Sequence, residues 1–202
     1  MFVNCIRIIF STSNFIDFIN FMDYNYDMFS DPGKNIEQFD LGKGNYVADF
    51  GAGSGFYSFA AAEAVGHDGK VYAIDIQKDL LEKLKNEARN VRHLGNVDIV
   101  WGDLDHLGGT RLRENSMDAV IVANVFFQLE KKDNACLEMK RILKPGGRVL
   151  FIDWASSFGG VGPQPQDVFT EEMAQKIFSK HGFKEDRTIG AGAQHYGIIF
   201  RK

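Results

Sequence analysis

The stretch Val47–Gly66, VADFGAGSGFYSFAAAEAVG, sets a short apolar run, an acid, three glycines at alternate positions and a run of small and aromatic residues in direct succession. Few folds accommodate that order. An apolar run of strand length without polar alternation suits a strand covered on both faces. Gly51, Gly53 and Gly55 allow positive φ and a close approach of backbone to ligand. Phe56–Val65 then reads as a helix that offers its N-terminus to the loop. Strand, glycine turn and helix together open a doubly wound α/β sheet. Ligands of such sheets sit beyond the carboxyl ends of the strands, at the switch point beside the first strand.

The rest of the chain continues the alternation from YVADF onward. VYAIDI is a second strand, reached through the turn GHDGK. Asp79–Val91 reads as a helix, with Leu80, Leu84, Ala88 and Val91 at helical spacing. VDIVWGD and MDAVIVAN are the third and fourth strands. Lys132–Leu143 is a helix ended by Pro145 and the Gly146-Gly147 turn, and RVLFIDW is the fifth strand. Glu171–His181 is a helix stopped by Gly182. FKEDRTI and HYGIIFRK close the chain, joined only by GAGAQ, which is too short for a crossover helix, so these two strands form an antiparallel hairpin. The expectation is a Rossmann-like, doubly wound, seven-stranded sheet in three α/β/α layers, parallel except for an antiparallel last strand.

Composition narrows the partners. The 202 residues favour one domain, and 45% apolar with 25% charged residues supports a packed core. A formal charge of -4 disfavours nucleic acid, which needs a basic face. Cys5 and Cys136 lie far apart with no C-x-x-C, so neither a disulfide framework nor a metal site is expected, and a reducing cytoplasm fits. Residues 1–30 are crowded with Phe, Ile and Asn. They lack a basic n-region and a cleavage site, and Arg7, Asn14 and Asp17 interrupt any membrane-length apolar span. Either this extension is a helix capping the ligand site, or translation starts at Met22 or Met28. Residues 31–202 form the domain proper.

The glycine turn has three candidate ligands. A P-loop needs Lys and Ser/Thr after its last glycine, and here Phe56 and Tyr57 follow. A dinucleotide fingerprint is G-x-G-x-x-G, one residue longer than this one. Asp49, two residues before the first glycine, would repel a pyrophosphate. It suits a ligand that carries its own ammonium and no phosphate, as S-adenosylmethionine does. Asp75, ending the second strand, stands where a carboxylate accepts ribose hydroxyls, or else caps the next helix. Asp103, beside Gly102 at the end of the third strand, accepts an adenine amino group or simply forms the turn. Ile76 and Leu104 flank that adenine or belong to the core.

DFGAGSG, YAIDI, GD, NSMDAVIVANVFFQL and LKPGGRVLFIDW, in that order, resemble class I S-adenosylmethionine-dependent methyltransferases, most of all the small-molecule branch that includes ubiquinone and menaquinone methylases. The resemblance implies a cofactor site at Asp49, Gly51, Ala52, Gly53, Gly55, Asp75, Ile76, Gly102, Asp103, Leu104, Asn124 and Val125, with S-adenosylhomocysteine as product. It departs from the quinone methylases after Asn124, where Phe126-Phe127-Gln128 replaces a Leu-His-His pattern, so a quinone acceptor is not assumed. The NPPY signature of nucleic-acid amino methylation is missing too.

Methyl transfer from a sulfonium has a good leaving group, so proximity and orientation carry much of the catalysis and no metal is needed. Tyr57, Phe126, Phe127 and Trp154 are the aromatic residues placed to face a sulfonium or an acceptor, although both phenylalanines also suit core packing. The hairpin tip returns Gln194, His195 and Tyr196 to the same edge as Asp153 and Trp154. Candidate catalytic residues are therefore Asp153, His195 and Asn124, with Tyr196 at the acceptor. The alternatives are a loop-positioning Asp153 and a His195 bonded to backbone. His67 and His93 fall on the opposite edge. Ala155–Asp167, rich in Gly, Pro and Ser, is a substrate wall or a plain surface connection. A non-catalytic S-adenosylmethionine-binding module and a nicotinamide-dependent oxidoreductase remain as alternative readings.

Overall fold

The computed structural model of the protein describes residues 30–157 and 162–202. The expectations for the N-terminal extension, and for part of the loop after the fifth strand, lie outside the described residues. In chain order the elements are α1 (Pro32–Phe39), β1 (Tyr46–Phe50), α2 (Phe56–Val65), β2 (Lys70–Asp75), α3 (Lys78–Asn86), β3 (Val97–Trp101), β4 (Met117–Ala123), α4 (Lys132–Ile142), β5 (Leu143–Trp154), α5 (Glu171–Lys180), β6 (Lys184–Ile189) and β7 (His195–Arg201). They build one seven-stranded sheet in the order β3-β2-β1-β4-β5-β7-β6. β7 runs antiparallel to both its neighbours, and the other pairings are parallel. The hairpin argument is borne out.

The pleat sends alternate side chains to opposite faces. Val47, Ile121, Leu150, Ile152 and Ile199 pack with Phe59, Ala62 and Val65 of α2, Leu84 of α3 and Ile36 and Phe39 of α1. On the other face Phe50, Val122, Phe151, Ile198 and Phe200 pack with Cys136, Met139 and Ile142 of α4 and with Ala174 and Phe178 of α5. Each face thus has its own core, and the sheet separates them.

Two elements differ from expectation. The helix expected over Asp79–Val91 is α3 followed by a π turn at Glu87–Val91. The wider turn rotates Val91 out to 70% exposure, and Leu81 rather than Leu80 joins the core. The helix expected to end at Leu143 ends at Ile142, and β5 starts at once. Leu143 pairs with Met117, and the Pro-Gly-Gly segment forms an irregularity inside β5 rather than a turn before it. Gly146, at φ 76°, absorbs the bend.

Phe151 lies 5.1 Å from the Phe126 ring and 5.2 Å from the Phe178 ring, at the centre of the second core. Phe151→Ala is expected to cost about 3–5 kcal/mol of stability, measured by urea unfolding.

Candidate functional site

Where β1 ends, the N–H groups of Gly51 and Ala52 both donate to the Ile74 carbonyl at 2.9 Å, which ties the glycine turn to β2. Gly51, Gly53 and Gly55 all have positive φ (72°, 52° and 87°). A β-carbon on Gly51 would stand 2.5 Å from the Val125 side chain, and one on Gly55 2.6 Å from Leu84. These two glycines let elements approach. Gly53 is different: the nearest atom to its would-be β-carbon is 3.9 Å away, so its outer side is open.

Asp75 locks the turn from the neighbouring strand. Its carboxylate accepts the Gly53 N–H at 2.9 Å and the Gln77 N–H at 2.8 Å. One lone pair on each oxygen stays available for a ligand diol. Asp49 is buried and accepts the Ser58 hydroxyl at 2.6 Å. Burial pushes its carboxyl up to about 7, and the Asp75 charge adds to this against the bond from Ser58.

Asp49, Gly51, Ala52, Tyr57, Ala123 and Asn124 line a cavity of about 170 Å³, with Ser30, Pro32 and Phe56 at its rim. The Tyr57 hydroxyl shares a hydrogen bond with Ser30 and accepts the Asn35 amide at 2.8 Å, so Ser30 and α1 border the cavity on this side. Asn124 adopts the left-handed conformation, φ 56°, rare outside glycine. Its N–H donates to the Ile152 carbonyl at 3.0 Å, and its buried side-chain oxygen has no partner among the described residues.

The third-strand residues divide. Both Asp103 oxygens are engaged within its own loop, one by the Asp105 N–H at 2.9 Å and one by His106 at 2.8 Å. Ile76 is exposed at the edge, whereas Leu104 is buried in the core beneath it. Gly102 packs tightly, since a β-carbon there would stand 2.7 Å from the Gly109 carbonyl. Glu138 on α4 holds this loop. It accepts the Gly108 N–H at 2.7 Å, the Thr110 hydroxyl and the Arg141 guanidinium at 2.6 Å. Burial raises its carboxyl, but the bonds from Arg141, Thr110 and Gly108 outweigh that and hold it below the usual range. Sequence reasoning missed Glu138. Its signal was an acid on the buried face of α4, between Ala135 and Ile142.

At the end of β5 the sheet parts two expected neighbours. Trp154 pairs with His195 and Asp153 with Tyr196, so all four reach the ligand edge, as the topology required. The pleat turns Asp153 and Tyr196 to the α4–α5 face, and Trp154 and His195 to the opposite one. Asp153 is fully buried and accepts N–H groups of Phe127 at 3.2 Å and Trp154 at 2.9 Å. Burial raises it to about 7, opposed by those bonds and by the nearby Lys132 charge.

Two expected acceptor contacts lie elsewhere. Phe126 is fully buried against Phe151, Phe169 and Phe178, away from the cavity, because that aromatic cluster buries the whole ring. Tyr196 is buried too, and its hydroxyl donates to the Phe169 carbonyl at 2.6 Å. Phe127 packs, partly exposed, at the edge of the same core. Gly162 stands against Trp154, where a β-carbon would fall 2.7 Å from the indole. His67 and His93 line a cleft on the opposite sheet edge, as expected.

An acid before the glycines, and no lysine after them, set this cleft apart from phosphate sites. They make the protein a Rossmann-like α/β domain suited to a cationic nucleoside. A family model described as a methyltransferase domain matches residues 48–151, just over half of the chain, and the chain belongs to that family. The ubiquinone/menaquinone biosynthesis C-methyltransferase UbiE of Haemophilus ducreyi is 33% identical over 113 residues, 56% of this chain and 42% of that protein. The chain thus spans under half the length of the curated relatives it matches. A SAM-dependent methyltransferase structure from Aquifex aeolicus superposes with a TM-score of 0.78 at 28% identity, covering 92% of this chain and 97% of that one. An arsenic(III) S-adenosylmethionine methyltransferase from Chlamydomonas reinhardtii, at 24% identity, shares the fold with a TM-score of 0.61 over 79% of this chain and 63% of that one. The family's cofactor, S-adenosylmethionine, fits the residues present. Asp49 and Asn124 put a carboxylate and an amide with an unpartnered oxygen in the cavity wall, and both atom types accept from an ammonium. Among the described residues no helix is long and apolar enough to cross a membrane.

Asp153 carries a stability consequence with a definite sign. Its folded pKa of about 7 lies above the unfolded carboxylate value, so ionising it opposes folding. The penalty is absent below about pH 4, grows between pH 4 and 7, and is complete above, at no more than about 4 kcal/mol. Asp153→Asn loses one of the two accepted bonds at any pH but also removes this penalty, so its melting temperature relative to the parent is expected to be higher at pH 8 than at pH 4, read by thermal unfolding at both pH values.

Proposed function

We propose that this chain transfers a methyl group from S-adenosylmethionine to a small-molecule acceptor, in the cytoplasm. One observation carries the reading: the glycine turn is framed by two acids, Asp49 in the cavity wall and Asp75 clamped to the turn by the Gly53 N–H. Asp49 and Asn124 would hold the methionine end. Gly51, Ala52 and Gly53 would let the backbone approach it, with Gly55 and Val125 supporting the turn. Asp75 would take the ribose, and Ile76, Gly102, Asp103 and Leu104 would border the adenine. When bound, the cofactor supplies an electrophilic methyl on a good leaving group.

The protein's part is orientation and exclusion of water. Tyr57, tied to Ser30 and Asn35, borders the cavity on the α1 side. Asp153 acts at a distance: by accepting the Phe127 N–H it holds the loop that gives Asn124 its left-handed turn. The relatives' names speak of ubiquinone and menaquinone, but the Phe126-Phe127-Gln128 loop gives no support for carrying that acceptor over.

Calorimetric titration tests the reading. S-adenosylmethionine and S-adenosylhomocysteine are expected to bind and NADH not to. Asp75→Ala is expected to weaken both by at least about tenfold. Binding of NADH alone would return the turn to the dehydrogenases, and tight binding without turnover across an acceptor screen would leave a binding module. Asp49 sets the pH dependence. With its pKa at about 7, a cationic ligand draws a proton off it on binding. Affinity for S-adenosylmethionine is therefore expected to fall about tenfold from pH 8 to pH 6, and this dependence is expected to disappear in Asp49→Asn.

A further inference from the structure

His195 is 7% exposed, yet among the described residues neither of its ring nitrogens has a hydrogen-bond partner. A buried polar group left unpaired costs folding free energy, and each such group calls for an explanation. Its place in the sheet supplies one. Asp49 and Ala123, which line the cavity, share a face of the sheet with Ile152, Trp154 and His195. Ala123 pairs with Ile152, and Ile152 with Gly197. Trp154 and His195, paired with each other, stand one pleat beyond that row. They therefore stand, buried, at the carboxyl edge on the same sheet face as the cavity but outside its lining. Their rings lie 4.4 Å apart at 39°, and Gly162 packs against the indole.

The electrostatics of this corner are plain. Burial lowers the His195 pKa, to about 4, and among the described residues no charged group adds to or opposes this. The ring is neutral and offers one N–H and one lone pair. A charged molecule settling here would shed its water and meet no counter-ion. An uncharged hydroxyl both donates and accepts, and satisfies either nitrogen without that cost. Asp153, on the neighbouring rung, is turned to the opposite face and already holds two backbone N–H groups, and the nearby Gln194 and Ser156 side chains are bonded to each other.

We infer that His195, backed by Trp154, is the hydrogen-bonding contact for the methyl acceptor, and that the acceptor is an uncharged molecule presenting a hydroxyl group. The word acceptor rests on the methyl-transfer reading above; the binding contact itself does not.

The test uses the full chain and three probes of one shape: benzyl alcohol, benzoate and benzylammonium. Each is titrated with and without S-adenosylhomocysteine while the ring nitrogen signals of His195 are followed by NMR. Benzyl alcohol is expected to shift those signals, and the two charged probes to bind at least about tenfold more weakly. His195→Phe, which keeps the volume, is expected to lose benzyl alcohol binding by about tenfold with S-adenosylhomocysteine binding unchanged. His195→Gln, which keeps a donor and an acceptor, is expected to recover most of it. Unmoved ring signals in the parent protein, equal binding of benzoate, or undiminished binding in His195→Phe would each overturn the inference. The parent protein alone decides if the Phe variant fails to fold. Absent S-adenosylhomocysteine binding with a shifted His195 would instead sink the donor reading and leave this contact standing.

Discussion

The close approach of Gly51 to Val125 is the contact on which the rest of the site depends. With only hydrogen where a β-carbon would stand 2.5 Å from that side chain, the turn after β1 and the turn after β4 close on each other. Their approach forms the floor between Asp49 and Asn124. It also brings the β4 loop within reach of β5, where Asp153 takes the Phe127 N–H. A larger residue at Gly51 would part the two central strands of the sheet at the edge where the ligand sits. The switch point is thus a packing constraint first and a binding site second.

Charge is distributed around that floor in a way that awaits a partner. Asp49 is buried, its carboxyl is raised to about 7, and the neighbouring Asp75 adds to the shift rather than relieving it. Two acids that approach each other in a partly dry cleft store unfavourable energy unless a cation arrives. The structural acids of the molecule show the contrast. Glu138, also buried, is answered by Arg141, Thr110 and backbone N–H groups, and its carboxyl falls below the usual range. The same residue class is thus satisfied where it holds a loop and left short where it meets ligand. Stability is spent at Asp49, Asp153, Asn124 and His195, all at one edge of the sheet.

Much of this was legible in the chain because it rests on local rules. Alternating strand and helix patterns implied a parallel sheet, and the five residues of GAGAQ left the last strand no option but to turn back. The acid-then-glycine order argued for a cationic ligand over a pyrophosphate on charge grounds. Local reasoning failed where neighbours decide. Val91 keeps helical spacing with Leu84, but one wider turn rotates it into solvent. Phe126 and Phe127 look alike in sequence, and only the aromatic cluster around Phe151 buries the first completely. Glu138 reads as an ordinary helix acid until the loop it holds is seen.

By itself the sequence determined the fold class, the edge of the sheet that binds ligand and the kind of charge the ligand carries. Those follow from periodicity, connection length and the sign of a side chain, which are properties of short stretches. Only the tertiary structure decided which side chains at that edge share a face. Asp153 and His195 reach it from adjacent strands at neighbouring rungs of the ladder, yet the pleat sends one to each side of the sheet. That separation depends on strand register, a relation between residues far apart in the chain. It leaves Asp153 to hold a loop and puts His195 on the other face of the sheet, with Ile152 and Ile199.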